Sequence, residues 1–597
     1  MLHEITCHAD LCVVGGGLAG VCTAIAAARH GAQVVLIHER PVLGGNASSE
    51  CRMWVCGARG KNNRETGIIE EIMLENLYRN PTKNHYIFDS ILLDFVRREK
   101  NITLYLNATC MDADAATGQY AHGRSVHIDS VRAYQMTTQT FVTVFARHFA
   151  DCSGDSVLAP LVGADFMLGR EAATEFGEDS HVSKHDSMVM GMSCLIQGRE
   201  TTRNVPFSPS EFATTPTDED VANRPMDITD PTENFWYLEL GGNTDTILDT
   251  EKTKEKLIDL SLGTWNYIKN SGKYDADRWE LEFLGFLPAK RESRRMRGEY
   301  VVTQRDISDD TVFPDTVAFG GWPLDDHFPA GYYHKGTPNT DFQTPAPYCL
   351  PLRALYSANV DNLWFAGRNI SMTHTAMSSI RVMATCALLG QAVGTAVAIA
   401  ARSCCTPHDV YLSHLDELQQ ALMADDCFLP HFTRRLSPLC AQTAVENGDT
   451  SLSNAHDRPN RIYKDEQCGV SVINGTPLTY RFEKPAEVPF VHLVFDSDLN
   501  RESLPGHWCE QTHVTRANVL IDSPQMHVPK TLCRSFTLTA QTEQGETLLL
   551  SVQNNIKRSY HVSLPYPVYA LTLTVIENWG DTDSTAVVSF DLQSITE

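Results

Sequence analysis

The chain has 597 residues and a formal net charge of −25, from 49 Lys and Arg against 74 Asp and Glu. That length exceeds what one hydrophobic core usually fills, so two or three domains are expected. The acidic balance repels nucleic acid and anionic membranes, so neither is expected as a partner.

Residues 1–10 lack a basic region followed by an apolar one, so no secretion signal is read there. Leu11–Val14 form an apolar run that enters Gly15-Gly16-Gly17-Leu18-Ala19-Gly20, and an Ala-rich helix pattern covers Leu18–His30. Gly15 makes the turn and Gly17 lets the backbone approach a pyrophosphate. Gly20 lets the helix that begins at Leu18 and Ala19 pack on the strand. A second apolar run, Val34–His38, ends on Glu39, where a carboxylate can accept both hydroxyls of an adenosine ribose. An acid there argues against a 2′-phosphate, leaving FAD or NAD rather than NADP. Glu39-Arg40 then leads to Gly44-Gly45-Asn46-Ala47-Ser48, small residues placed where the chain would pass the pyrophosphate and ribityl again.

Glu65-Thr66-Gly67 opens a helix over Ile68–Asn76. Asn101–Cys110 alternates like a strand, and Val126–Phe149 is β-rich; together they predict a three-stranded meander near residues 103–150. Phe149–Asp151 approaches a turn at Gly154-Asp155. Residues 161–350 mix helix patterns with long polar loops, as a substrate or cap domain would. Within them, Arg291, Glu292, Arg294, Arg295 and Arg297 form a charge-dense cluster, either internally paired or walling a substrate pocket. Asp325, Asp326 and His327 follow Trp322-Pro323 like a pocket rim, without metal-site spacing. No metal is expected.

Asn362–Phe365 is an apolar strand reaching Gly367-Arg368, and Asn369–Thr375 leads into one long apolar helix. Its part from Val382 to Ala401 comes nearest to the ~20 apolar residues that cross a bilayer, but its Ala, Gly and Thr content reads as buried. His408–Met423 is helical, and Ser437–Asn460 is linker-like. Beyond it, Leu478–Phe482, Val491–Phe495, Ser535–Thr539 and Ala570–Val575 alternate as short strands of an all-β sandwich. Seventeen scattered cysteines suit a reducing compartment, and a cytoplasmic location is expected. Neither Cys51 with Cys56 nor Cys404-Cys405 has iron–sulfur cluster spacing.

The first glycine turn, the Gly44-Gly45 loop, the Gly154-Asp155 turn and the late Gly367 strand resemble, in order, the glutathione-reductase type of FAD-binding fold. Arg291–Arg295, Phe313-Pro314-Asp315, Ala366–Ser371 with His374, and Arg381–Cys386 with Gly390–Gly394 narrow the match. They look like the bacterial FAD-dependent oxidoreductase family, whose flavin region is related to that of heterodisulfide reductase. The resemblance covers roughly residues 8–400. It implies FAD held by the residues of the four glycine segments, with Cys110 meeting the adenine and Arg368 beside the flavin. It also implies that the late helix brings its positive N-terminus to the flavin's pyrimidine edge.

The expected fold class is α/β: a Rossmann-like FAD-binding domain, an inserted α+β substrate or cap domain, and a C-terminal sandwich like a galactose-binding jelly roll. The expected divisions are 1–160, 161–350, 351–436 and 451–597. The leading functional reading is hydride transfer to FAD from a C–H next to a hydroxyl of a small, carbohydrate-like molecule, with an unidentified electron acceptor. His374 would take the hydroxyl proton, or be hydrogen-bonded in its loop or hold the flavin. Arg381 would face the flavin or an anionic group, or pair with a carboxylate. Arg291, Glu292 and Arg294 would contact substrate. The alternatives are a reductase of C=C or C–S bonds, and a carbohydrate-binding protein. The C-terminal domain would bind sugar or serve as a structural or dimer-forming part.

Overall fold

In the computed structural model, residues 2–179, 182–224, 226–230, 233–463, 467–501 and 515–593 are described. The organising element is a seven-stranded sheet. Strand β1 (His3–Val14) passes through the first glycine turn into helix α1 (Leu18–Arg29), which returns the chain to β2 (Val34–Ile37). After helices α2 (Ile68–Arg79) and α3 (His85–Arg98), β3 (Ile102–Tyr105) joins the edge. β4 (Ala108–Thr117), β5 (Val126–Gln135) and β6 (Thr140–Asp151) follow as hairpins. The order is β3-β2-β1-β6-β5-β4, parallel from β3 to β6.

Residues 101–110 are therefore two strands rather than one. The backbone turns at Asn107, whose φ is 54°, so β3 pairs with β2 while β4 starts the meander. Long β6 serves both structures. Its first half lies between β1 and β5; its second half lies between β1 and β7 (Leu363–Phe365), which pairs Leu363 with Phe149 and Phe365 with Asp151. More than 200 residues of chain leave this sheet after β6 and return to it at β7.

The late apolar segment is two helices rather than one. α4 (His374–Ile380) ends at Arg381, and α5 (Met383–Ser403) starts anew from Val382, whose extended backbone breaks the hydrogen-bond ladder. α5 is long and apolar enough to cross a membrane, and it is buried here against α1. Two glycines permit this packing: a Cβ on Gly390 would sit 2.2 Å from the Ala19 carbonyl oxygen, and one on Gly394 2.3 Å from that of Thr23. The stretch 408–423 also divides, into Pro407–Ser413 and Leu415–Ala424.

The middle of the chain packs helix Thr250–Asn270 against short antiparallel strands around Trp265, Trp279, Phe235 and Tyr237. Beyond residue 440 the chain forms two antiparallel sheets, of five and four strands. The four runs expected from alternation lie in Pro477–Ala486, Phe490–Phe495, Cys533–Thr542 and Val568–Asn578. The sheets share one core: Phe495 lies 4.9 Å from Phe536, and Tyr480 5.0 Å from Phe590, centroid to centroid. Leu74 and Leu77 of α2 belong to that same core.

Candidate active site

The glycine turns converge on one cavity of about 580 Å³. At its first wall, Gly15 has φ 108°, and a Cβ there would lie 2.4 Å from the Cys152 carbonyl oxygen. Only glycine lets β1 turn beside the end of β6. α1 begins at Gly17 with no side-chain cap, so its first N–H groups are open to an anion. A Cβ on Gly17 would meet nothing nearer than Gly45 at 3.9 Å. This face of the turn is a cradle open to the cavity.

Gly15, Gly17, Leu18, Ala19, Glu39, Arg40, Gly44, Gly45, Asn46, Cys110, Gly154, Asp155, Gly367 and Arg368 all line it. Gly20, Ala47 and Ser48 do not. A Cβ on Gly20 would sit 1.9 Å from the Gly15 carbonyl oxygen, so this glycine serves strand–helix packing. Ala47 and Ser48 are buried in the turn behind Gly45.

Asp155 anchors the next wall. Its carboxylate takes the Arg368 Nη2 at 2.8 Å, the Lys290 Nζ at 2.8 Å and the Ser293 hydroxyl at 2.7 Å. Burial alone would raise its pKa, but Arg368 and Lys290 outweigh burial and hold it at about 2. Asp155 is thus a fixed negative charge between two cations. The Arg368 Nε is buried without a hydrogen-bond partner, an orphan donor beside the cavity. α5 also starts at the cavity, with Val382 and Met383, again without a side-chain cap. The helix end there belongs to α5, not to the helix of His374.

The structure places three of the expected catalytic and substrate residues outside the cavity lining. His374 lies outside the lining, with its ring between Glu292 (Nδ1 to Oε2, 2.8 Å) and Asp326 (Nε2 to Oδ1, 3.1 Å). Burial would depress its pKa, but the two carboxylates raise it to about 10. Each ring nitrogen faces a carboxylate, which favours a proton on both and disfavours a role as proton acceptor. Glu292 is fully buried, accepting from His374 and from the Met190 N–H at 2.9 Å. Arg294 lies outside the lining too, over the Phe166 ring at 5.6 Å. Glu292 and Arg294 thus stand behind the lining, Arg294 next to Asp155, whose carbonyl its Nη1 meets at 3.4 Å.

Arg291 and Arg381 do line the cavity. Arg291 donates to the Ser193 hydroxyl at 2.8 Å and the Trp236 carbonyl at 2.9 Å, and lies 3.4 Å from Glu239. Arg381 pairs with Asp325 at 3.0 Å, and its buried Nε has no partner. Beside them is a histidine expected only as part of the pocket rim. His327 Nδ1 lies 2.5 Å from Glu239 Oε2, its Nε2 lies 3.5 Å from Asp325 Oδ1, and its ring meets Trp236 edge-on at 5.1 Å. Burial would raise the pKa of Glu239, but Arg291 and His327 bring it below the ordinary value, so it is ionised and accepts from Nδ1–H.

Trp236, Trp322, Asn339, Asp341 and Arg59 complete this end. Extended backbone explains the selection: in 325–327 successive side chains alternate, so Asp325 and His327 reach the cavity while Asp326 turns to His374. The 325–327 run was visible in sequence. Glu239, 88 residues earlier, gave no local signal.

The FAD dependent oxidoreductase family model matches residues 10–422. The chain belongs to that family. It is an FAD-dependent oxidoreductase, and the open cradle at Gly17, the uncapped start of α1 and the orphan Arg368 donor fit its cofactor. Among the described residues, no group of three or more His, Cys, Asp or Glu is placed to hold a metal ion. No curated protein matches the chain. Solved structures to which this oxidoreductase is similar include THI4 from Thermovibrio ammonificans, at 14% identity, covering 28% of this chain and 66% of that one, TM-score 0.21. A geranylgeranyl bacteriochlorophyll reductase-like protein of Thermoplasma acidophilum is similar at 11% identity, covering 71% and 84%, TM-score 0.28. p-Nitrophenol 4-monooxygenase PnpA of Pseudomonas putida is similar at 10% identity, covering 71% and 89%, TM-score 0.29.

Proposed function

We propose that this enzyme oxidises a C–H next to a hydroxyl of a small polyhydroxylated, carbohydrate-like molecule, and that His327 takes the hydroxyl proton. The observation that carries the reading is His327 in the lining of the cavity that the glycine turns share, backed at 2.5 Å by the buried carboxylate of Glu239. FAD supplies the hydride acceptor when bound. Ionised Glu239 accepts from the Nδ1–H of His327 and orients the ring, and Nε2, facing Asp325 Oδ1 at 3.5 Å, is the nitrogen that would meet the substrate hydroxyl. The charge that forms there is stabilised by Glu239 on one side and Asp325 on the other. Arg381 and Asn339, both held by Asp325, offer donors to substrate oxygens. Trp236 and Trp322 offer flat apolar faces such as a sugar ring packs against.

Gly15, Gly17, Leu18, Ala19 and the Gly44–Asn46 loop would hold the pyrophosphate, and Glu39 the ribose. Cys110 would lie by the adenine, while Asp155, Arg368 and the start of α5 would lie by the flavin. The domain division 1–160, 161–350, 351–436 and 451–597 belongs to this reading, as does a galactose-binding-like jelly roll for the C-terminal sheets, supported by their shared core.

The test is anaerobic addition of sugars and cyclic polyols to the flavoprotein, read as bleaching of the flavin bands. His327→Gln should keep its flavin yet slow bleaching on the order of 100-fold or more, the worth of a general base. Unchanged bleaching would remove His327 from the chemistry, and bleaching only by non-hydroxylated compounds would remove the substrate class.

A further inference from the structure

His374 opens α4, whose first turn is capped by the Thr373 hydroxyl accepting from the Ala376 N–H at 3.2 Å. Charged groups face its ring from three other segments. Glu292 and Arg295 come from the 291–295 stretch, Arg170 and Glu171 from the loop that Arg170 bridges to Asp186, and Asp326 with His327 from the cavity wall. Glu171 also accepts the His374 backbone N–H at 2.9 Å. Arg295, fully buried, lies 3.0 Å from Glu171 and 3.4 Å from Glu292. Arg170 is already tied to Asp186 at 2.6 Å. Three carboxylates, Glu171, Glu292 and Asp326, thus face Arg295 and His374. Isolated buried charge is costly, so this arrangement favours a ring protonated on both nitrogens.

A doubly protonated ring donates in two directions. Toward Glu292 it is bound to the segment that also carries Arg291; toward Asp326 it is bound to the segment of Asp325 and His327. That segment is bridged at Leu324 to Phe342 and at His327 to Asn339, with Asp325 and His327 lining the cavity and Asp326 facing His374, so fixing Asp326 on one side fixes its two neighbours on the other. We propose that His374 is a positioning residue: by donating to both Glu292 and Asp326 it pins the extended segment 325–327 and aims His327 into the cavity. This rests on the reading of His327 as proton acceptor, but its structural half can be measured without any substrate.

The experiment uses the flavin-loaded full chain with ¹⁵N-labelled histidine, the resonances of His374 and His327 being assigned by His374→Gln and His327→Gln. In the unaltered enzyme, the His374 ring is expected to stay doubly protonated from about pH 6 to about pH 9, well above the ordinary range. In His374→Gln, and in the milder Asp326→Asn, His327 should change from one tautomer to an exchanging mixture while flavin content is retained. A neutral His374 ring at pH 7, or a His327 resonance unmoved in Asp326→Asn, overturns the proposal. With a substrate that bleaches the flavin, His374→Gln should slow reduction on the order of 100-fold, the cost of misplacing a reacting group. The acidic limb of its pH profile should survive. Loss of that limb would make His374 the proton acceptor itself. Failure of every hydroxylated compound to bleach the flavin would sink the substrate reading and leave the resonance test standing.

Discussion

At the scale of single residues, the cavity is organised by carboxylates whose charge is fixed by cations. Asp155 is the clearest case, because its folded pKa of about 2 lies below the ordinary carboxylate value. A depressed acid contributes stability that is fully present above its unfolded pKa and is lost as pH falls toward the folded one. Asp155 should therefore contribute about 2 kcal/mol at neutral pH, disappearing between about pH 4 and about pH 2. Urea unfolding at pH 7 and at pH 3 should show the deficit of Asp155→Asn about halved at the lower pH. An equal deficit at both would mean that the pairing with Arg368 and Lys290 does not carry the effect.

Sequence made part of this residue-level picture visible. Gly15, Gly17 and Gly20 have separate jobs that spacing alone assigns, and the structure gives each its close approach or its open face. His374 shows the limit. Its place seven residues past Gly367 was legible, but its partners Glu292 and Asp326 come from 82 and 48 residues away, and those partners decide that it carries a proton already. His327 was visible only as a rim residue, because the carboxylate that orients it, Glu239, belongs to a short strand with no motif.

Among elements, the contact between α1 and α5 places the nucleotide turn against the late glycine segment. It depends on Gly390 and Gly394, one turn apart on α5, facing α1 carbonyl oxygens. Adding a methyl at Gly390 would force the helices apart, and overpacking of this kind costs about 1–3 kcal/mol. Gly390→Ala is expected to lower the melting temperature and to release flavin, read as a lower ratio of flavin to protein absorbance. A gain in stability, as from removing glycine inside an unconstrained helix, would show that the close approach is not needed. The helical period of 383–403 was plain in sequence. The break at Arg381-Val382 was not, since no Pro or Gly marks it. It appears only where the Ala384 N–H bonds the Cys56 carbonyl, from a loop far away in sequence.

For the whole molecule, the C-terminal sheets are built into the nucleotide fold rather than tethered to it. Glu70 of α2, buried, is gripped by Arg501 at 2.6 Å, and Arg458 donates to the Arg64 carbonyl at 2.6 Å and the Thr66 hydroxyl at 2.7 Å. Leu74 and Leu77 of α2 complete the core of the sheets. Val519 also bonds the backbone of Gly198 and Glu200, at 2.8 and 2.7 Å, adding itself to the middle region. Calorimetry should therefore show one cooperative transition. Glu70→Gln, which leaves the Arg501 charge buried, should cost roughly 3 kcal/mol. Two separable transitions, or a neutral Glu70→Gln, would mean that the parts fold independently. The strands of this region were legible from their alternation. Their docking was not, because it rests on polar pairs such as Glu70–Arg501 that no periodicity announces.

The cavity wall is drawn from stretches as distant as 14–19, 37–46, 108–110, 152–155, 287–291 and 367–386. Those stretches come together only once β7 has returned to β6 and α5 has closed on α1. An adenine–isoalloxazine ligand bridging them would therefore have no complete docking place on a half-finished chain. Flavin added to the refolding chain should be retained only after those segments have met, read as flavin absorbance that appears with the final folding phase and not before it.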